Sequence, residues 1–349
     1  MNAIPTLELL EAMLAPAGVS GCEQDIADVV RETWAPWADE VSLSPLGSVH
    51  AILQGTGRAP RPRLMVSAHM DSIGLIVSGF SGGFVRLAPA GTFDPRLLPG
   101  QPVRIFARRP ISGTLLAPAS IEPPKQPVPA TDLLLDCGLS AGEIQDRVSV
   151  GDPVCLAQSP IRLGERWIAS PRLDNRVSLV AVTLGLQALR AHRPRWDIIA
   201  VAGVREETDD AGSLTSAYAL APAAAIILDT TFGRTSDLPT HATFPLGSGA
   251  TNAWGPVVHP AMHRRLERVA QAAGLPLTAE YLPELTQTDA DHIQLTGEGV
   301  PAAVISIPIL NMHSPVEVVD LGDIEQAALL LATFARDLDG DGRLTFDDE

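Results

Sequence analysis

The chain has 349 residues and a formal net charge of −16, with hydrophobic residues at 46%. That length leads us to expect two domains of ordinary size, and the apolar content is enough for a large core. The acidic balance excludes a nucleic acid or an anionic membrane as the natural partner, since both need a basic patch, and no apolar run is long enough to span a bilayer.

The N-terminus, "MNAIPTLELLEAML", carries acids where a signal peptide would carry lysine or arginine. Three cysteines, Cys22, Cys137 and Cys155, are odd in number and lack metal-type spacing, so the expectation is a reduced, cytoplasmic chain with buried thiols. Thr6–Leu14 and Glu23–Thr33 read as helices, and "PRLMVSAHMD" (62–71) as a strand running into His69 and Asp71. Between Gly74 and about Pro160 the texture changes. Short β-type runs (Gly74–Val77, Phe84–Leu87, Pro102–Phe106, Gly113–Leu116, Pro153–Leu156) alternate with glycine and proline, which predicts a small β-rich insert. After Arg162 helical and strand patterns alternate. Helices are expected over Asn175–Ala191, Met262–Ala273, Asp289–Leu295 and Asp323–Arg336. Strands are expected over Asp197–Val204, Ala224–Leu228, Leu277–Leu282 and Ala302–Ile307. Continuously apolar strands such as "AAAIILD" indicate a sheet covered on both faces. The organisation is therefore an α/β domain made of 1–72 and 163–349, split by a β insert over 73–162.

Charged residues collect where apolar strands end: His69 and Asp71, Asp174, Glu206 and Glu207, Asp229, and His313. Strand ends of open α/β sheets are where ligand-binding loops converge. Imidazole nitrogen and carboxylate oxygen without cysteine suit zinc, cobalt or manganese in a catalytic site that keeps positions open for water. A pair of ions about 3.5–4 Å apart needs a bridging carboxylate and terminal ligands. His69, Asp174, Glu207, Asp229 and His313 can supply that set, which leaves Glu206 free to act as a base.

The segments "AHMDSIGLIV" (68–77), "LDNRVSLV" (173–180), "VREETDDAGS" (204–213), "IILDT" (226–230), "TQTDADHIQ" (286–294) and "IPILNMHSPVEVV" (307–319) occur in an order that resembles the co-catalytic two-zinc aminopeptidases. That family includes the tetrahedral (TET) peptidases, glutamyl aminopeptidase and proteins labelled "endoglucanase M". "VSGCEQDIADVV" (19–30) and "LLLDCGLSAGEI" (133–144) extend the resemblance over nearly the whole chain. It implies a zinc-peptidase fold, a central mixed sheet flanked by helices, with an inserted small β-barrel-like (PDZ-like) dimerisation domain. It also implies two divalent ions per subunit, zinc or else cobalt or manganese. Asp174 would bridge them, with His69 and Asp229 completing one site and Glu207 and His313 the other. Asp71 would hold the His69 imidazole, and Glu206 would be the general base of a metallo-aminopeptidase acting on peptides. Homo-oligomers follow, dimers that assemble into a dodecamer. A related two-metal hydrolase (deacylase or carboxypeptidase) and a catalytically silent homologue acting in binding or assembly stay open.

Four departures from the family pattern stand out: Asp209 in place of glycine, Leu310–Asn311 in place of arginine–tyrosine, Ser44 and Ser48 in place of aspartate and asparagine, and Asn175 in place of a second aspartate. Asp174 is also a candidate helix N-cap, and Thr288 with Asp289 reads as a cap for the helix through Leu295. The remaining histidines, His50, His192, His241, His259, His263 and His292, are expected to be surface or structural.

The tail "DLDGDGRLTFDD" (337–348) fits the calcium-loop pattern D-x-D-x-D-G-x₅-acid, with Asp337, Asp339, Asp341, Arg343 and Asp348 at ligand positions. Aspartate at the last position and the lack of an exit helix count against calcium, and a disordered acidic tail is the alternative.

Overall fold

The computed structural model describes residues 4–118 and 126–339. Among these residues an eleven-stranded mixed sheet forms the centre of the larger body. Its four inner strands, Asp197–Gly203, Arg63–His69, Ala224–Phe232 and Ala302–Leu310, run parallel and side by side. All four are almost wholly buried, as expected of unbroken apolar strands with helices on both faces. Glu40–Leu43 and Val49–Leu53 extend one edge, and Glu317–Asp320, Trp167–Ser170 and Ile161–Leu163 the other, all antiparallel. Ala250–Trp254 and Leu277–Tyr281 branch from Ala302–Leu310.

The helices Leu173–Ala191 and Leu321–Asp337 pack together on this sheet, and Thr6–Leu14 packs on the first of them. Trp34, at the end of the helix Gln24–Trp34, is fully buried and donates from Nε1 to Thr183 Oγ1 at 2.9 Å. Trp34→Ala removes that contact and leaves a cavity, so it is expected to lower stability by about 3–5 kcal/mol, measured from denaturant unfolding midpoints.

The second body is a closed six-stranded antiparallel barrel of Gly74–Ser81, Phe84–Ala90, Leu134–Asp136, Ile111–Leu116, Pro102–Ile105 and Pro153–Leu156. It has its own core, in which Val77, Val85, Val103, Ile105, Leu115 and Leu135 are buried. The insert is thus a barrel, and the strand Ile161–Leu163 pairs in the large sheet. The main sheet and inserted barrel make the α/β architecture anticipated from the sequence.

Several local expectations differ from what is seen. The helix expected over Asp289–Leu295 is a single turn, Ala290–Ile293. The helix Ala211–Leu220 carries no apolar stripe to announce it, because it buries Gly212, Ser213, Ser216 and Ala217. Of the three free cysteines only Cys155 is buried; Cys22 and Cys137 are partly exposed. No described helix is long and apolar enough to cross a membrane.

Candidate functional site

His69 ends its strand with 2% of its surface exposed. Its Nδ1 lies 3.2 Å from the Asp71 carbonyl oxygen and 3.5 Å from Asp71 Oδ1, which leaves Nε2 directed at the other acids. Asp71 is fully buried, and its carboxylate does more than hold the imidazole. Oδ1 accepts the Glu206 N–H at 3.1 Å, and Oδ2 accepts the Glu207 N–H at 3.1 Å and the Ser20 hydroxyl at 2.5 Å. Burial opposes its ionisation, but the hydrogen bonds from His69, Ser20 and the Glu206 amide outweigh it and hold the carboxyl below its usual range.

Those two amides belong to a turn. The strand ends at Gly203, and Arg205 takes a left-handed backbone with φ 65°. The side chains of Glu206 and Glu207 are therefore aimed by the turn and its anchor on Asp71, whereas strand alternation would have set them on opposite faces. Glu23 Oε1 also accepts the Arg205 N–H at 3.1 Å. Of the two aspartates further along, Asp209 serves the same turn. Asp209 is paired with the Arg205 guanidinium and accepts the Ala211 N–H at 3.3 Å. Asp210 lies 3.2 Å from His292 Nδ1.

Asp174 occupies the first turn of the helix Leu173–Ala191 with non-helical dihedrals (φ −74°, ψ 110°), and its peptide bond to Asn175 is cis. The helix is capped from Arg172 onward, and among the described residues no helix N–H donates to the Asp174 carboxylate, whose oxygens face the histidines instead. Asp174 Oδ1 lies 3.3 Å from His69 Nε2, and Oδ2 lies 3.3 Å from His313 Nε2. The two oxygens of one carboxylate thus face two different histidines. Asp229 Oδ1 is 3.7 Å from His69 Nε2, and Glu207 Oε2 is 3.5 Å from His313 Nε2. Donor atoms of His69, Asp174 and Asp229 lie within 4.8 Å of one another, as do those of Asp174, Glu207 and His313. Glu206 Oε2 is 3.7 Å from His69 Nε2, so the same spacing brings His69, Glu206 and Glu207 together as well.

Crowding buried acids has an electrostatic cost. Burial, only partly offset by the His69 charge, and the nearby charges of Asp229, Asp289 and Glu207 push Glu206 up to about 11. Burial and Asp174 push Glu207 up to about 8. Asp229 is raised to about 6, chiefly by burial. His313 rises to about 9, the charges of Asp174 and Glu207 outweighing its burial. Asp174 is lowered, because its two histidines outweigh burial. The buried oxygens Asp174 Oδ1 and Glu207 Oε1 accept no hydrogen bond among the described residues. Acidic oxygens and imidazole nitrogens gathered this closely fit hard or borderline divalent ions, zinc, cobalt or manganese.

Sequence reasoning missed Glu317. It is buried; Oε2 accepts the Asp174 N–H at 3.1 Å and Oε1 the His313 N–H at 2.9 Å, so it clamps two site residues from behind. Burial and the Asp174 charge push it up to about 8. Asp289 also differs from expectation: its carboxylate makes no cap and instead accepts the Ser67 hydroxyl at 2.9 Å, under the site. Thr288 is the residue that caps, its Oγ1 accepting the Ala290 N–H at 3.2 Å. Three of the departures are absorbed locally. Asn175 Nδ2 donates to the Leu228 carbonyl at 3.0 Å, Ser48 Oγ accepts the Val204 N–H at 3.4 Å, and Asn311 Nδ2 donates to the Val316 carbonyl at 3.2 Å. Among the other histidines, His50 is buried against Ser216 Oγ at 2.8 Å, whereas His241 borders the site cavity.

Of the tail acids, Asp337 accepts from Arg265 Nε at 2.7 Å and from Arg268 at 3.2 Å, and Asp339 pairs with Arg195 at 3.1 Å. Asp341, Arg343 and Asp348 lie outside the described residues.

Residues 47–330 match the family model described as M42 glutamyl aminopeptidase. The chain is 32% identical to lysyl aminopeptidase of Pyrococcus furiosus, over 95% of this chain and 97% of that protein. It superposes on a TET aminopeptidase from a marine-sediment thaumarchaeon with a TM-score of 0.90 at 26% identity, covering 97% of this chain and 98% of that one. A TET1 peptidase of Pyrococcus horikoshii, described as assembling into a tetrahedron or a large octahedral shell, gives a TM-score of 0.84 at 25% identity, over 96% of this chain and all of that one.

Proposed function

The chain belongs to the M42 glutamyl aminopeptidase family and is a peptidase hydrolase, and from that premise we propose that it releases N-terminal residues from peptides with a pair of divalent ions held at this site. The observation that carries the proposal is the placement of Asp174, whose two oxygens each face a different histidine at 3.3 Å. His69 and Asp229 would hold one ion, Glu207 and His313 the other, with Asp174 between them. When bound, such ions polarise the scissile carbonyl and lower the pKa of water.

The chain's own groups do the rest. Asp71 fixes the His69 ring and, through the Glu206 and Glu207 amides, the direction of both glutamates. Glu206 takes a proton from the attacking water and returns one to the leaving amine. Glu317 restrains Asp174 and His313 by their backbone amides. The acidic cavity suits the free α-ammonium of a peptide.

The segments 1–72 with 163–349 form the catalytic domain in this proposal, and 73–162 the insert through which subunits dimerise. Dimers would build a closed shell like that described for the P. horikoshii relative, in the cytoplasm.

The test uses aminoacyl-p-nitroanilides with free and with acetylated amines. Turnover is expected only with the free amine, lost on chelation and restored by zinc, cobalt or manganese. Release of acetate from the blocked substrates, or of C-terminal residues from peptides, would instead indicate a deacylase or a carboxypeptidase.

A further inference from the structure

The cavity in front of the site holds about 640 Å³ and has one acid that none of the roles above uses, Glu280. It stands on the strand Leu277–Tyr281 and is only 8% exposed. Both of its carboxylate oxygens are held by neutral hydroxyls, Thr231 Oγ1 at 2.5 Å and Thr251 Oγ1 at 2.6 Å. Neither lysine nor arginine lines the cavity. A buried carboxylate held only by neutral hydroxyls is stabilised further when a cation reaches it; of the three histidines that line the cavity, His69 and His313 face Asp174, and His241 makes no hydrogen bond or ion pair to Glu280 among the described residues.

The position of Glu280 is fixed by sheet register. Asp229 lies opposite Ser306, and Ser306 opposite Thr251, on three neighbouring strands. Thr231 follows Asp229 by two residues on one strand, so both side chains face the same side about 7 Å apart. Glu280 is bonded to both threonines and lines the same cavity as the acid cluster, on the same face of the sheet. An extended lysine side chain spans roughly 6 Å from Cα to its ammonium nitrogen. A peptide whose scissile carbonyl lies at the acid cluster would lay its first side chain toward Glu280. Phe232 and Leu285, also on the cavity wall, would flank the methylene stem of such a side chain.

We propose that Glu280 is the specificity-determining residue of this cavity, selecting peptides with lysine or arginine at the N-terminus and rejecting aspartate and glutamate there. The proposal rests on the aminopeptidase reading above and adds the substrate class. Thr231 and Thr251 hold the carboxylate in place, so it meets the incoming cation already oriented, the arrangement that gives charge recognition its selectivity.

The experiment compares kcat/KM for lysyl-, norleucyl- and glutamyl-p-nitroanilides on the metal-loaded protein, wild type and Glu280→Gln. Norleucine has the lysine stem without the charge. In the wild type the lysyl substrate is expected to exceed the norleucyl by about tenfold or more, with the glutamyl substrate poorest. Glu280→Gln should bring the lysyl value down to the norleucyl one, mainly through KM, and leave the norleucyl value within about twofold. A merely structural role would lower both substrates together. A wild-type lysyl-to-norleucyl ratio near one, or an equal loss on both in the variant, overturns the proposal, and the wild-type ratio needs no variant to fold. If norleucyl anilide is cleaved without lysyl preference, the specificity proposal alone fails. If no free-amine anilide is cleaved at all, the aminopeptidase reading fails and this proposal with it.

Discussion

Glu206→Gln is expected to lower kcat by about 10²–10⁴-fold while leaving the fold, the ion content and KM close to wild type. Glutamine fills the same space but cannot take a proton. The backbone that aims residue 206 is untouched, because its amide still donates to Asp71 Oδ1. Burial already disfavours the charged carboxylate at this position, so a neutral amide of the same size adds no desolvation cost, and thermal stability of the variant should not fall. Steady-state kinetics on a free-amine anilide, with a melting curve alongside, check this. Wild-type kcat in the variant would remove Glu206 from the reaction.

Asp174→Ala is expected to lower turnover by at least about 10³-fold, the rate equivalent of several kcal/mol of lost charge stabilisation. This carboxylate faces both histidines, so its loss removes a donor from both halves of the site at once. Loss of Asp229 or Glu207 would empty only one half. The variant should still fold, since the anchor to Glu317 runs through the Asp174 backbone N–H, which alanine keeps. Circular dichroism and anilide turnover on the purified variant provide the check.

The parts of this site that were legible in the sequence are those whose chemistry sits in the residue type itself. His69, Asp174, Glu207, Asp229 and His313 announce themselves as acids and imidazoles at the ends of apolar runs, and the structure brings them within a few ångströms. What holds them was not legible. Glu317 lies four residues beyond His313, yet nothing in the sequence says that its oxygens reach the amides of both Asp174 and His313, 143 residues apart in one case. Asp71 looked like a partner for one imidazole, and its bonds to two further amides depend on a left-handed turn at Arg205.

At the level of elements, continuous apolar strands such as Ala224–Phe232 were readable in position if not in full length. The exposed edge strand Glu40–Leu43 was not, because it buries little and therefore lacks a pattern. The helix Ala141–Arg147 carried a usable signal, the capping box of Ser140 and Glu143, that its surroundings of short β runs obscured. Glu280 shows the opposite limit. A glutamate in a short strand reads as a solvated face, and only the fold reveals the two threonines that bury it.

In the proposed site one carboxylate, Asp174, organises two ions. Inductively coupled plasma mass spectrometry on zinc-reconstituted, desalted protein tests it directly, with wild type and Asp174→Ala measured side by side. Two ions per wild-type chain and fewer than one per variant chain are expected. A fully active wild type with at most one ion, or a variant that keeps both, would contradict it.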